Sequence, residues 1–486
     1  MTSRAGLATA AVALVVGLGA GAAAGALLLN PLEVTGGVVD GPHVRLEVGD
    51  DFAEITGRAD PGTTFVVAAG VHREQTLLPD DGDVIVGEPG AVMSGAVVLD
   101  PAAFEPDGER FVLDGRTEEA FIHGQMIEGF ERDAAHHELW AGRERLQHAP
   151  TRDDVDAPGE WFFDYDVDQL VVFDPPDRRE PLELSVTDLA IGSEADDVEV
   201  RGLTITRYSS PSQRGAVEPR GAGWVLTDLV VTENHGGGIA MGEGSPLSAS
   251  TITHNGQWGV GGEGVGGLTV TDVEIAYNGT LGYEWFWEAG GTKFKHTDGA
   301  VFDGSWVHHN GGPGIWFDLD NTDITVTDNV AEANEVMGIF LEVSDGAVVR
   351  GNTVRGNGFG PAAGELGAGL AVHGVSDAVV TGNVLVGNAL ELSAVHYERD
   401  SEVTGNPFTI EGLEVRDNHF APVVEGSVSF YVDNDDTELY TDGSITFEEN
   451  TYDLTGCEDC FRWGEITDAE GWRAAGNDAG GTFLQG

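Results

Sequence analysis

The sequence is poor in positive charge and almost free of lysine. Lys and Arg together number 24 against 83 Asp and Glu, so the 486 residues carry a formal net charge of −59. The only lysines are Lys293 and Lys295. Because no basic stripe exists to meet phosphates, the composition excludes a nucleic-acid partner. The acids are scattered through patterned segments, which indicates a solvated surface adapted to high salt, a haloadapted protein.

Cysteine is scarce as well, since Cys457 and Cys460 are the only two. One CxxC without a second pair argues against zinc, and in an exported protein it predicts a small local disulfide. Long apolar runs are missing after residue 30. Before it, the uncharged residues 5–29 predict export, with residues 1–30 acting either as a cleaved signal peptide or as an uncleaved membrane anchor.

Aromatic residues make up only 8% of the chain, whereas glycine numbers 71, a composition that predicts many tight turns. From about residue 186 a theme recurs: a short β-branched run, Asn with Gly nearby, then a short apolar run. The period is near 23 residues, with longer steps where loops are inserted. The repeated asparagines are Asn234, Asn255, Asn278, Asn310, Asn334, Asn357, Asn388 and Asn418. This period, with Asn and Gly at the bends, predicts an all-β, right-handed parallel β-helix.

The domain organisation follows from where this rhythm holds. We expect a linker at 31–54, the first coils at 55–100, the main helix at 186–455 and a C-terminal cap at 456–486. Residues 101–185 break the rhythm and are interpreted as a β-rich insertion, with a possible helix in 128–150 followed by a hairpin in "PGEWFFDYDVDQLVVFDPP".

Polar residues recur at the end of successive apolar runs. Alignment of "GVGGE", "GIWFD", "GIFLE", "GLAVH" and "LSAVH" predicts one column of side chains on stacked strands, namely Glu263, Asp318, Glu342, His373 and His396. For the coil between Glu263 and Asp318, alignment of "DGAVF" (Asp298–Phe302) with "DGAVV" (Asp345–Val349) puts Lys295 level with Glu342. Strand alternation sends Lys293 to the same side as Lys295, and Asp320 to the same side as Asp318.

An inserted loop brings aromatic residues and one more acid beside the lysines. Together with Glu263, the residues expected to contact substrate are Trp285, Trp287, Trp316 and Glu288. Aromatic rings of this kind form platforms for sugars, although they could also simply pack under the loops.

Two chemistries can be built from the column. Asp318 and Glu342 on adjacent rungs could be the carboxylate pair of a glycoside hydrolase. Alternatively, Asp318, Asp320 and Glu342 could hold Ca²⁺ against a uronic acid while a lysine removes its C5 proton, since an amine can lose its proton where a guanidinium cannot. His373 and His396 are further catalytic candidates in either case.

Purely structural interpretations of the same residues stay open beside the two chemistries. The lysines could serve only to neutralise the acids on stacked strands. The two histidines could be a structural pair on neighbouring strands whose hydrogen bonds are satisfied. A solvated acid is the default in so acidic a chain.

The motifs "PGTTFVVAAGVHRE", "GEPGAVMSG", "PGEWFFDYD", "WEAGGTKF", "NGGPGIWFDLDN" and "GIFLEVS" resemble exported bacterial β-helix proteins of the pectate-lyase-like superfamily. The resemblance spans nearly all of the chain after about residue 55. It implies a right-handed parallel β-helix, and the superfamily contains polysaccharide lyases, glycoside hydrolases, uronan epimerases and non-enzymatic adhesins.

We therefore expect a secreted or surface-bound β-helix that cleaves a polysaccharide in a groove along one side, by hydrolysis or β-elimination. The rival expectation is a non-catalytic adhesin or glycan-binding scaffold. The only cofactor that the sequence suggests is Ca²⁺.

Overall fold

The structure is a computed structural model that describes residues 43–177, 179–397, 399–401, 403–405, 407–433 and 437–485. The predicted signal or anchor at residues 1–30 therefore lies outside the described residues. Within them, no helix is long and apolar enough to cross a membrane.

Three long sheets run side by side along the molecule, and each coil of the chain contributes one short strand to each of them. Sheet A consists of His43–Leu46, Thr64–Val67, Val84–Gly87, Glu199–Arg201, Val225–Thr227, Pro246–Ser248, Thr269–Thr271, Val301–Asp303, Thr322–Thr327, Asp345–Arg350, Ser376–Thr381, Leu413–Arg416 and Ile445–Glu448. Sheet B consists of Gly70–Arg73, Ala91–Ser94, Thr204–Thr206, Val230–Thr232, Thr251–Thr253, Glu274–Ala276, Trp306–His308, Val330–Glu332, Thr353–Arg355, Val384–Val386, His419–Ala421, Thr451–Asp453 and Thr482–Leu484.

Sheet C, which carries the candidate site, has twelve strands. They are Ile191–Ser193, Gly215–Pro219, Gly237–Ala240, Trp258–Glu263, Gly290–Lys295, Ile315–Phe317, Met337–Glu342, Ala368–His373, Leu392–His396, Val428–Val432, Phe461–Trp463 and Glu465–Thr467. All pairings in the three sheets are parallel except the last one in sheet C. The predicted all-β parallel β-helix is confirmed.

The interior is filled by one continuous apolar core. In each strand alternate side chains point inward, so that Phe294, Phe317, Leu341, Val372 and Ala394 stack beneath sheet C and are fully buried. Because every coil buries its own apolar residues against the next coil, the fold is stabilised rung by rung along the axis.

Buried asparagines close the bends in two separate ladders. Between sheets B and C, each Asn side chain from Asn234 to Asn357 donates to the Oδ1 of the next Asn at 2.8–3.1 Å, and Asn388 ends the row on Glu391. A second ladder between sheets A and B holds Asn329, Asn352, Asn383, Asn418 and Asn450. Asn418 therefore belongs to this second ladder. The repeat alignment had placed it in the first ladder, which was wrong.

The insertion folds into two mainly antiparallel sheets beside the first coils. One contains Glu105–Asp107, Arg110–Asp114, Gln147–His148, Glu160–Asp164 and Gln169–Val172, and the other contains Ala96–Val98, Leu139–Ala141, Glu144–Arg145 and Leu182–Ser185. Glu160–Asp164 and Gln169–Val172 form the predicted hairpin. The expected helix within 128–150 was wrong, because only the 3-10 turn Glu131–Ala134 forms there before the chain enters strands.

Short elements close the two ends of the β-helix. Helix α1 (Phe52–Thr56) follows the strand His43–Leu46, so these residues belong to the first coil rather than to the predicted linker. Helix α2 (Ala469–Ala474) buries Trp472 against the last coil, and Cys457 and Cys460 form a disulfide beside it. The remaining 3-10 turns are Pro101–Ala103, Arg152–Asp154, Trp285–Trp287, Gly364–Leu366 and Thr437–Tyr440.

Candidate functional site

The polar column forms because each of its strands ends at the same kind of turn. The residue after each column position has a left-handed backbone, with φ of 53° at His296, 61° at Leu319 and 39° at Val343, and glycines take the same role at 264 and 374. A left-handed residue ends the strand, so the last outward side chain of each rung stands at one edge of sheet C.

The strand register brings most of the predicted column into one line. Glu263 lies opposite Lys295, Phe294 opposite Phe317, and Glu342 opposite His373. Phe317 lies opposite Leu341, which places Asp318 between Lys295 and Glu342. The column observed in the structure therefore consists of Glu263, Lys295, Asp318, Glu342 and His373.

His396 does not belong to the column, and its predicted position was wrong. Val395 lies opposite His373, and Leu392 lies opposite Leu370. The alignment had matched Leu392 with Gly369, but the buried Glu391 precedes Leu392 in the register and takes that place. The one-residue shift puts His396 on the inward alternation with Leu392 and Ala394.

Lys293 is buried against Asp318. Its Nζ lies 2.6 Å from Asp318 Oδ2 and 3.2 Å from the centre of the Trp316 ring, and its side chain is 4% exposed. Burial lowers the pKa of Lys293 despite the neighbouring Asp318, Glu288 and Glu342 carboxylates. The amine therefore serves as a fixed partner of Asp318 rather than as a solvent-facing charge.

Glu342 stands beside Asp318 on the next rung. Its Oε1 accepts a hydrogen bond from the Tyr397 hydroxyl at 3.0 Å. The Arg399 Nη1 lies 3.5 Å from Glu342 Oε1 and 4.0 Å from Asp318 Oδ1, so both carboxylates face one guanidinium. Burial and the nearby Asp318 charge raise the pKa of Glu342 to about 7. Near neutral pH this carboxyl can thus carry a proton.

Aromatic rings wall the open space above the two carboxylates. A cavity of 430 Å³ is lined by Asp318, Glu342, His373, Tyr397 and Arg399 together with the rings of Trp285, Phe286, Trp316, Phe340 and Tyr431. The Phe286 side chain is 57% exposed at the rim. Flat apolar walls around a few converging polar groups are the usual surroundings of a sugar ligand.

Lys295 faces a second cavity along the same sheet. Its Nζ lies 2.8 Å from Glu288 Oε1 and 3.2 Å from Glu263 Oε2. Burial would lower the pKa of Lys295, but these two carboxylates outweigh it and the pKa is raised. The cavity measures 520 Å³ and also reaches Lys293, whose partner Asp318 lines the 430 Å³ cavity.

The other predicted residues do not all line the two cavities. Trp287 packs on Tyr283 and on His123 of the insertion and lines neither cavity, so its predicted substrate contact is not supported. Asp320 lines neither cavity and accepts a hydrogen bond from the Ser401 hydroxyl. His373 bonds Ser393 at 3.1 Å, and burial lowers the pKa of His373 to about 4, which keeps it neutral.

Sequence reasoning missed Tyr397 and Arg399. Both follow the strand Leu392–His396 on the outward alternation of Val395, which lies opposite His373. The wrong register for this rung hid them, because it assigned the outward position to His396.

The residues present do not fit the predicted calcium site well. The carboxylates of Asp318 and Glu342 already face the Lys293 amine and the Arg399 guanidinium. In the described part of the chain, no group of three or more His, Cys, Asp or Glu side chains is arranged to hold a metal ion.

The comparisons with known proteins agree with this architecture. The family described as right-handed beta helix region matches residues 216–385. Among solved structures, XylC in complex with xylose aligns with 12% identity and a TM-score of 0.66, over 90% of this chain and 82% of that chain. The A-module of mannuronan C-5 epimerase AlgE6 from Azotobacter vinelandii aligns with 13% identity and a TM-score of 0.51, over 89% and 93%.

At such low identity, these likenesses show the fold alone. No curated protein matches the sequence. The family match covers the coils that carry all five column residues, and the structural alignments extend the same architecture over most of the chain. The chain is therefore a right-handed parallel β-helix protein.

Proposed function

We propose that this chain binds a polysaccharide in the groove along sheet C and cleaves it by hydrolysis at Asp318 and Glu342. The observation that carries the proposal is the pair of carboxylates on adjacent rungs, which share Arg399 and open into one aromatic-walled cavity. The carbohydrate ligand is also supported by the structural neighbours, one of which is a complex with xylose and another a mannuronan epimerase.

Glu342 is suited to act as the general acid. A carboxyl with a pKa of about 7 can donate its proton to the glycosidic oxygen as the bond from that oxygen to the anomeric carbon breaks. Water then supplies the hydroxyl group of the new reducing end, and its proton restores Glu342. The Tyr397 hydroxyl, which donates to Oε1, holds the carboxyl in place.

Asp318 is suited to act as the nucleophile, forming a bond to the anomeric carbon as the glycosidic bond breaks and leaving again when water takes its place. Neighbouring rungs are about 4.8 Å apart, close to the separation of about 5–5.5 Å between the carboxyl groups of retaining glycosidases. Lys293 fixes Asp318 Oδ2, whereas Oδ1 accepts no hydrogen bond from any described residue. One oxygen is thus held by Lys293, and the other is a buried acceptor without a hydrogen-bond donor.

A second candidate is β-elimination with Lys293 as the base, because the lowered pKa of Lys293 favours the neutral amine. The geometry favours it less. The amine is directed at Asp318 and covered by Trp316, and a base must reach the proton that it removes. Lysis would yield unsaturated products with a new ultraviolet absorbance, whereas hydrolysis would not.

The test is a screen of neutral and uronic polysaccharides at molar salt for new reducing ends. Glu342→Gln and Asp318→Asn should each lower the rate on an accepted glycan at least about 100-fold, as expected for general acid–base residues. Glu332→Gln is the matched control, because Glu332 also ends a strand and pairs with an arginine, but on sheet B. Full activity in both site variants would refute the proposed roles, and binding without cleavage would favour the scaffold alternative.

Export is proposed together with this activity. An extracellular polysaccharide can be reached only by an exported protein, and the apolar residues 5–29 are suited to a signal peptide or an anchor. Mass spectrometry of the protein secreted by its host, compared with the membrane fraction, distinguishes a cleaved signal from an anchor.

A further inference from the structure

Asp318 Oδ1, the oxygen that the proposed hydrolysis brings to the anomeric carbon, is closed off from solvent in this structure. It is buried and accepts no hydrogen bond from a described residue, and the Asp318 side chain as a whole is 10% exposed. A nucleophile has to touch the carbon that it attacks. The site is therefore in a closed state, and the group that covers Oδ1 has to move before a glycan can react.

Arg399 faces both oxygens at which the reaction would take place. Its Nη1 lies 4.0 Å from Asp318 Oδ1 and 3.5 Å from Glu342 Oε1. A glycosidic bond that is cleaved between two carboxylates has to approach the same two oxygens. The Arg399 side chain is 36% exposed, against 10% for Asp318 and 18% for Glu342, so it reaches the pair from the solvent side. The guanidinium thus lies where a sugar has to enter.

Arg399 reaches this place because it belongs to an unusually long turn. Residues 397–412, 16 in number, connect the sheet C strand Leu392–His396 with the sheet A strand Leu413–Arg416. At the rung of Glu342, only two residues separate Met337–Glu342 from Asp345–Arg350. Two residues are thus enough to close a coil at this edge, and the longer turn carries Arg399 back over the rungs of Asp318 and Glu342.

No short hydrogen bond fixes the Arg399 guanidinium to either carboxylate. Its contact with Asp318 is an ion pair at 4.0 Å, and its hydrogen bond to Glu342 is long, at 3.5 Å. Lys293, by contrast, holds Asp318 Oδ2 at 2.6 Å and is 4% exposed. Partly exposed ion pairs contribute little stability and weaken as salt is added. Asp318 therefore has one tightly held partner and one that a ligand can displace.

The backbone around Arg399 is anchored independently of that side chain. The Arg399 carbonyl oxygen accepts a hydrogen bond from the Phe408 amide at 2.8 Å, and the Ser401 hydroxyl donates to Asp320. The Tyr397 hydroxyl donates to Glu342 at 3.0 Å. The guanidinium can therefore swing away, or be removed by substitution, while the turn keeps these contacts.

We propose that Arg399 is an autoinhibitory cover on the carboxylate pair, and that an incoming glycan displaces its guanidinium before cleavage. The inference rests on the proposed function, because it concerns regulation of the same two carboxylates. A ligand that must displace Arg399 binds with an apparent affinity that is reduced by the fraction of molecules in which the site is open. Salt raises that fraction by screening the two ion pairs, so salt concentration is the regulator.

The first test measures the cover without a substrate. A water-soluble carbodiimide with glycine ethyl ester labels accessible carboxyl groups of the full chain, and peptide mass spectrometry gives the rate at Glu342. This rate should be several-fold higher in Arg399→Ala than in the wild type, and Arg399→Gln, which keeps more of the volume, should change it in the same direction. Glu391 is the internal control, because it is fully buried and burial raises its pKa to about 7 as well; its rate should not change. An unchanged rate at Glu342 in both variants overturns the inference.

The second test uses a glycan that the wild type hydrolyses. Arg399→Ala should lower KM about 3- to 10-fold without lowering kcat, because the loss of two partly exposed ion pairs opens the site. Raising the salt from about 0.1 M to about 1 M should lower the KM of the wild type toward that of the variant, which itself should respond little. The matched control is Arg355→Ala, since Arg355 also pairs with a glutamate and is 50% exposed, but on sheet B. A lower kcat in Arg399→Ala, or a KM that does not fall, overturns the inference.

Failure of the proposed function gives a different result. If Glu342 is labelled faster in Arg399→Ala but neither protein releases reducing ends from any glycan, the cover stands and hydrolysis does not. If the wild type hydrolyses a glycan and Arg399→Ala changes neither the labelling nor KM, hydrolysis stands and the cover does not.

Discussion

Replacing Glu342 with glutamine should change how stability depends on pH. In the folded protein the pKa of Glu342 is raised from 4.5 to about 7, mainly by burial. The folded chain therefore holds this proton where the unfolded chain has released it, and stability falls as pH rises from about 4.5 to about 7. A shift of this size corresponds to at most about 3 kcal/mol of destabilisation at pH 8.

Glutamine is neutral at every pH, so Glu342→Gln escapes this penalty. The difference in the free energy of unfolding between variant and wild type, measured by urea titration, should move in favour of the variant by up to about 3 kcal/mol from pH 4 to pH 8. Glu332→Gln provides the control, because the guanidinium of Arg355 lowers the pKa of Glu332 and the sign reverses. Identical pH dependence in wild type and Glu342→Gln would refute the reasoning.

Three further predictions concern the same groove. If Glu342 is the proton donor, the rate constant kcat should fall as pH rises above about 7, because the carboxyl loses its proton there. A kcat that rises through this range would contradict that role. Lys293→Met should destabilise the fold by about 3–5 kcal/mol in urea titration because it removes the hydrogen-bonded partner of the buried Asp318 carboxylate. Lys295→Met should cost less because the Lys295 side chain is 16% exposed against 4% for Lys293, and equal losses would contradict the assigned burial. Phe286→Ala should raise KM about 10-fold without changing the thermal midpoint, since the ring is exposed at the cavity rim, and an unchanged KM would remove it from the binding surface.

The fold was predictable because its signals are periodic. Buried Asn at one bend and alternating apolar residues repeat in every coil, and the amide ladder and the apolar core are the direct physical results of that repetition. The same periodicity placed Glu263, Lys295, Asp318, Glu342 and His373 in one line. Equivalent residues stay aligned from one strand to the next as long as the number of residues between the bend and the strand stays constant.

The errors arose where that number changes. One residue fewer between Asn388 and its strand turns His396 inward. The alignment therefore did not identify Tyr397 and Arg399, which contact Glu342. Asn418 was assigned to the wrong ladder because both bends use asparagine and differ only in which sheets they join. The orientation of the inserted loop, which turns Trp285 toward the cavity and Trp287 toward the insertion, depends on contacts with distant residues and has no local sequence signal.

The two lysines acquire a physical explanation in the structure. Lys293 fixes Asp318, and Lys295 joins Glu263 and Glu288. A compact ammonium fits between a carboxylate and the face of Trp316, where a planar guanidinium would need more space. This explains why arginine does not replace lysine at position 293.

A structure of the Glu342→Gln variant bound to the glycan that the wild type cleaves tests the central claim most directly. The account predicts a chain lying along sheet C, with one glycosidic oxygen within about 3 Å of the side-chain amide of residue 342 and the adjoining anomeric carbon facing Asp318. A glycan bound to another sheet, or one whose glycosidic bonds all lie away from Asp318 and residue 342, would contradict it.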